Sequence, residues 1–307
     1  IDSRFRVIPS SYGEYGGLKV IEYEECIRRT NTMSMDDFLE LRIFNAVFFL
    51  LYYIELGRPL LNYSQKHGLH PIHLIADVSR KPSETEFPLL LNYFNRFNEL
   101  AESEWFESPE KGNEYYQEPK MFEKIMNEGF PKLNYDYAAQ LVTNFNLREE
   151  FLKWVGQNIK NRLPEKSDII EDITLFCIRR IHRMPINNQQ DMIEISLDSA
   201  KELTEFTSTD YQNKKSEIAE DKRIIREVEN EAFRPLDSLD SNQGISSLLS
   251  GFDKDLKFKI SFDVDQQKNQ HLQEEILRNG GDHNLSLAIQ VILQKNQRAF
   301  LKGWSPQ

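Results

Sequence analysis

Two runs decide the fold: Thr30-Asn31-Thr32-Met33-Ser34-Met35-Asp36-Asp37, and then Ala46-Val47-Phe48-Phe49-Leu50-Leu51-Tyr52-Tyr53-Ile54. Ser34 has the side chain of a good N-cap. Asp37, three residues on, is placed to reach back in a capping box and to favour the helix dipole. The pair predicts a helix from about Met35 to Glu55, stopped at Gly57. Asp36, Asp37 and Glu40 share one face of its first half. Its second half is apolar all round, which predicts burial on every side and a central place in the domain. Phe48 belongs to that run, so Phe48→Asp is expected to unfold the domain.

Upstream of the helix, Arg4 to Ile8 alternates polar and apolar side chains. Leu18-Lys19-Val20-Ile21-Glu22-Tyr23 is roughly alternating and rich in β-branched residues. Pro9-Ser10-Ser11-Tyr12-Gly13 and Gly16-Gly17 are turn chemistry. The reading is a β-hairpin with a long loop, or two neighbouring strands. A lone hairpin is marginal in water and needs another strand or a helix. Residues 1–29 are therefore expected to be strands that continue a missing N-terminal domain.

Downstream, helical spacing predicts elements over Arg58–His67, Ile72–Val78, Phe87–Phe106, Met121–Asn127, Tyr135–Asn146, Arg148–Arg162 and Ile169–His182. Ser108 to Pro119 reads as a polar loop. Residues 30–186 thus form a helical domain. From Asn187 the texture changes: Met192–Leu197 and Lys257–Val264 alternate as strands that pair with each other or with the first hairpin. Lys214–Phe233 reads as a charged surface helix, Pro235–Gly251 as a linker or loop, and His271–Leu277 and Leu285–Leu301 as helices. Residues 187–307 form an α+β C-terminal segment. The fold class is mostly α with small β elements (α+β): a helical domain preceded by a β-hairpin and carrying a late strand pair.

Composition removes several functions. The chain has 307 residues, with 38 Lys plus Arg against 49 Asp plus Glu, a net charge of −11. An acidic surface argues against a general nucleic-acid binder. The longest apolar run, Ala46–Ile54, is far short of the roughly 20 residues a bilayer needs, so no membrane partner is expected. Two cysteines, Cys26 and Cys177, exclude a disulfide scaffold and a four-cysteine metal site. A reducing, cytoplasmic compartment fits.

Few side chains form a chemical constellation. His67, His70 and His73 have ligand-like spacing but straddle a helix–turn junction, and structural histidines explain them better. Cys177 lies on an apolar stripe and reads as a small buried hydrophobe. Cys26 ends a strand beside Arg28 and Arg29, cations that lower a thiol pKa. Glu22, Glu24 and Glu25 read first as a solvated strand face. Gly13 to Gly17 lacks the lysine and helix of a phosphate loop. Arg179, Arg180, His182 and Arg183 read as C-terminal capping, and the aspartates at 253, 255, 263 and 265 lack calcium-loop spacing.

The strings Phe5-Arg-Val-Ile-Pro-Ser-Ser-Tyr-Gly13, Val20-Ile-Glu-Tyr-Glu-Glu25 and Thr30-Asn-Thr-Met-Ser-Met-Asp-Asp-Phe-Leu-Glu-Leu-Arg42 carry a resemblance. Phe5 to Arg42 resembles the segment that follows the catalytic barrel in cobalamin-binding radical S-adenosylmethionine proteins. The resemblance covers about 40 residues well and the tail only loosely. It implies the C-terminal, substrate-covering or accessory domain of a cobalamin-dependent radical enzyme, whose chemistry is radical alkyl transfer or rearrangement at an unactivated carbon. The family's cluster motif, CxxxCxxC, does not occur here. The resemblance therefore implies no cofactor in this chain. The iron–sulfur cluster, S-adenosylmethionine and cobalamin are expected in the missing N-terminal part, and the chain's own N-terminal catalytic region is its expected partner. It also places Asn31, Thr32, Met33 and Ser34, with Arg42, at that junction near the substrate opening. Two other readings stand beside it. The loop is simply a helix N-terminus and Arg42 pairs inside the domain, or the whole chain is a self-standing helical interaction domain without catalytic activity.

Overall fold

The computed structural model describes residues 1–128, 130, 133–179, 191–196, 198–203, 257–262 and 304–306. The chain is α+β and mostly helical, with a β-hairpin before the helices. The expected helices over Lys214–Phe233, His271–Leu277 and Leu285–Leu301, the linker over Pro235–Gly251 and the boundary at 186 lie outside the described residues.

The hairpin pairs β1 (Asp2–Tyr15) antiparallel with β2 (Leu18–Arg29). Its turn is Gly16-Gly17, with φ of +60° and +82°. Both values are open to glycine at no steric cost, and a two-residue turn with φ > 0 at both positions follows the twist of the strands. The loop is thus tight and not long. The turn chemistry at Pro9–Gly13 serves another purpose. Val7 faces Tyr23 and Tyr12 faces Ile21, so β1 bulges between Val7 and Tyr12. Pro9, which has no N–H to give a ladder, falls inside that bulge.

The helix α1 (Met35–Phe48) runs on into a π-helical turn over Phe49–Tyr53. The Ile54 N–H donates to the Phe49 carbonyl at 2.8 Å. Glu55, at φ +62°, ends the element. Gly57 is therefore not the stop; it precedes α2 (Arg58–Lys66). The wider turn also corrects the expectation of burial all round. Val47, Leu51 and Ile54 are fully buried, while Tyr52 and Tyr53 are about half exposed. Phe48 is only partly buried, stacked on Tyr52 at 5.1 Å.

Next come α3 (Pro71–Val78), α4 (Pro88–Ser103), α5 (Pro109–Tyr116), α6 (Pro119–Glu128), α7 (Leu133–Thr143), α8 (Phe145–Arg162) and α9 (Ser167–Arg179). The supposed loop Ser108–Pro119 is helix α5: Ser108 caps it and Pro109 takes its first position, where a missing N–H costs nothing. Gly112 in α5 gives room to the Tyr23 ring, whose hydroxyl would lie 2.6 Å from an added Cβ. The main core joins α1, α2, α3, α4, α7, α8 and α9. A smaller one joins Val7 and Ile21 of the hairpin to Phe122, Ile125 and Phe130. Late in the chain, β3 (Asp191–Ser196), β4 (Lys257–Phe262) and β5 (Trp304–Pro306) form an antiparallel sheet in that order. The two late strands pair with each other; β5 is a third strand that alternation did not reveal. Among the described residues no helix is long and apolar enough to cross a membrane.

Candidate functional site

Strand β2 reaches α1 through a short, ordered loop. The Thr30 Oγ1 accepts from the N–H groups of Thr32 (3.2 Å) and Met33 (3.1 Å), and the Thr30 N–H donates to the Met33 carbonyl at 2.9 Å. Ser34 and Asp37 form the capping box. The Ser34 Oγ accepts from the Asp37 N–H at 3.1 Å, and the Asp37 Oδ2 accepts from the Ser34 N–H at 2.7 Å and from its hydroxyl at 2.8 Å. These bonds to the charged form hold the Asp37 carboxyl below the usual aspartate range. Asn31, Thr32 and Ser34 remain exposed, and Met33 is half-buried. The loop is thus held by its own bonds, the Thr32 hydroxyl paired with that of Thr30 at 3.3 Å, while Asn31 stays open to a partner.

Arg42 is not open. Its Nη1 donates to Glu104 Oε1 at 2.6 Å, just beyond the end of α4. The same oxygen is 3.5 Å from Arg6 Nη1, and the Arg6 Nε donates to Glu24. Trp105 completes the cluster: the guanidiniums of Arg6 and Arg28 lie 5.4 and 5.8 Å from its ring centre. Arg28 also binds Asp2 at 3.1 Å. The group clamps the base of the hairpin onto α1 and the end of α4. Three carboxylates and three partly buried arginines pair there, with the buried Arg28 Nε left without a hydrogen-bond partner, so this arrangement binds and orients.

Cys26 stands in that cluster, yet its thiol pKa is raised. Burial comes first and the Glu24 charge adds to it, outweighing Arg6 and Arg42. The thiol is thus kept protonated, opposite to the expectation from Arg28 and Arg29. Glu24 is an ion-pair member, while Glu22 and Glu25 are exposed as a solvated face requires. Cys177 is fully buried in the core. His70 caps α3 through Nδ1 (3.3 Å to the Ile72 N–H) and faces His73 at 5.6 Å, while His67 packs on Tyr63. Among the described residues no group of three or more metal-binding side chains comes together. Arg179 packs over Phe145; Arg180, His182, Arg183 and the aspartates at 253, 255, 263 and 265 lie outside the described residues.

The structure brings Asn31, Thr32, Met33 and Ser34 into one loop and places Arg42 behind it, turned to Glu104. Arg6, Glu104 and Trp105 are the members that sequence reasoning missed. Glu104 is 62 positions from Arg42, and nothing in the local pattern signals that pairing. No family model, curated protein or solved structure matches the chain.

Proposed function

We propose that the chain is the C-terminal, substrate-covering or accessory domain of a cobalamin-dependent radical S-adenosylmethionine enzyme. It would dock on its catalytic region through the Asn31–Ser34 loop and work in the cytoplasm. The observation that carries this is the exposed, self-bonded loop within the segment resembling that family. The exposed Asn31 side chain suits a hydrogen bond to another surface, and Met33 supplies an adaptable apolar contact. The chain's two cysteines do not suffice for a three-thiolate cluster site, so no chemical step is derived through the cluster, S-adenosylmethionine or cobalamin. The domain's part is to cover and to orient. The native polypeptide, captured with an antibody to this chain, is expected to be longer and to carry iron and cobalt in stoichiometric amounts. A native polypeptide without either metal would sink the proposal.

A non-catalytic interaction domain is the second reading. The hairpin tip favours it, where Tyr15 is 67% and Leu18 71% exposed. Tyr15→Ser with Leu18→Ser should then abolish partner capture, while Asn31→Ala should leave it unchanged.

A further inference from the structure

One face of the hairpin tip is covered and the other is bare. Lys19, Ile21 and Tyr23 of β2 turn toward α5 and α6: the Lys19 Nζ lies 4.8 Å from the Phe122 ring centre, Ile21 packs with Phe122 and Ile125, and the Tyr23 hydroxyl donates to Asn113 Oδ1 at 3.2 Å. By alternation Leu18, Val20 and Glu22 point the other way. Across the ladder Leu18 faces Tyr15 and Val20 faces Gly13. The Tyr15 ring lies over Gly13, 3.0 Å from where a Cβ would stand, and the glycine is buried beneath it. Tyr15, Leu18 and Val20 therefore form one apolar patch, exposed by 67, 71 and 40%. The patch is held in place from below. Gln117, which ends α5, donates from Nε2 to the Lys19 carbonyl at 3.2 Å, and its own carbonyl accepts from the Lys19 Nζ at 3.0 Å.

Charge around the patch selects its occupant. Glu14 and Glu22, its neighbours on the strands, are exposed. Residues 99–128, which include α5 and α6, carry nine glutamates against three lysines, with no aspartate or arginine. Glu118 directly follows Gln117, and Glu107, Glu110, Glu114 and Glu123 are exposed like it. Of the lysines, Lys111 is bound to Glu114 at 2.7 Å, and Lys19 of the hairpin is turned under the sheet. Such a rim repels nucleic acid, anionic lipid and the same rim of a second copy. A second copy meets a further obstacle, since three side chains are few against the about 20–30 residues a side of a standard interface. We propose that the Tyr15–Leu18–Val20 face binds a basic segment of a partner protein. An aliphatic or aromatic side chain of that segment covers the patch, and lysines or arginines beside it meet the glutamates of α5 and α6. The inference rests on the second reading above and gives its partner a chemistry. The apolar contact holds the segment, while the acidic rim speeds encounter and rejects acidic surfaces.

Fluorescence anisotropy of the full chain with two labelled peptides tests this. Both place leucines around one tryptophan; one has lysine and the other glutamate at every polar position. The lysine peptide is expected to bind at least about tenfold tighter than the glutamate peptide, and to weaken as salt rises. Leu18→Ser should weaken it by at least about tenfold, as loss of a central apolar contact does. Ile72→Ser, at a 43% exposed position of α3, should leave it unchanged. Glu118→Lys with Glu123→Lys should weaken the lysine peptide and strengthen the glutamate one. Circular dichroism and Tm establish that each variant is folded, and Tyr15→Ser replaces Leu18→Ser should the latter misfold. Equal affinity for the two peptides, or indifference to the tip variant, would overturn the proposal. Vesicles of phosphatidylcholine and phosphatidylserine should not sediment the chain; sedimentation that Leu18→Ser abolishes would make the face a membrane contact and overturn it as well. If the tip variants abolish partner capture while both peptides bind alike, the second reading stands and the basic partner falls. If capture survives the tip variants, both fall.

Discussion

Gly156 is in the middle of α8, where alanine ordinarily stabilises a helix by about 1 kcal/mol. Here the opposite sign is expected. A Cβ at Gly156 would fall on the Oγ1 of Thr174 in α9. Thr174 is 7% exposed, and its hydroxyl donates to the Ile170 carbonyl at 2.6 Å. Two responses are open. The helices move apart, which costs about 1–3 kcal/mol for an added methyl in a packed core. Alternatively Thr174 rotates and gives up a buried hydrogen bond worth about 0.5–1.5 kcal/mol. Set against the propensity gain of about 1, overpacking leaves a net loss near 1 kcal/mol for Gly156→Ala. That is about 2–4 °C in Tm for a domain of this size. Removing the obstacle should reverse the sign. In a Thr174→Ala background, the nearest remaining Thr174 atom is Cβ at 3.5 Å, an ordinary contact, so Gly156→Ala should then stabilise by about 1 kcal/mol. Urea denaturation of the four members of this cycle gives a coupling energy between the two sites, expected inside the 0.5–3 kcal/mol range of touching residues. If Gly156→Ala stabilises both backgrounds equally, α8 and α9 do not meet at this point and the reasoning fails.

Leu51→Ala, at a fully buried position of the π-helical turn, should cost about 2–5 kcal/mol, and Phe48→Ala distinctly less; equal losses in urea would contradict the only partial burial of Phe48. Arg42→Ala should lower stability by about 1.5–3 kcal/mol, the range for hydrogen bonds to charged groups, because it strips Glu104 of its shortest partner. Asn31→Ala should leave Tm unchanged, and a clear loss would show that the loop serves the fold. Burial lifts the Asp136 carboxyl to about 6. Its folded pKa is above its unfolded one, so ionisation opposes folding as pH rises through that interval. Asp136→Asn should therefore raise Tm at pH 7 and have little effect near pH 4; the same gain at both would refute burial as the cause.

The elements legible in the sequence are those whose cause is local. The capping box of α1 follows from a serine and an aspartate three positions apart, and most helices from apolar spacing. The elements that stayed hidden have distant causes. Gly112 and the flanking prolines make α5 look like a loop, yet the glycine answers to the Tyr23 ring, a residue of the hairpin. The uniform apolar run from Ala46 to Ile54 gives no hint of the π turn, which swings Tyr52 and Tyr53 outward. The site divides in the same way. The exposed loop Asn31–Ser34 was readable because its bonds are internal, whereas the clamp on Arg42 needs Glu104 from the end of α4 and Arg6 from β1.

That clamp also explains why the hairpin needs both of its faces. Nearer the tip, Ile21 packs with Val7 against Phe122 and Ile125. At the base, Arg6 and Glu24, which face each other across the strands, turn to Glu104 and Trp105. Neighbouring residues of a strand point to opposite sides, so Tyr23 and Glu24 mark a change of buried face. The bulge beside them in β1 supplies the extra twist that such a change requires. A ribbon buried on opposite faces at its two ends has no continuous apolar side, which is why alternation alone cannot assign it to a sheet with one wet face.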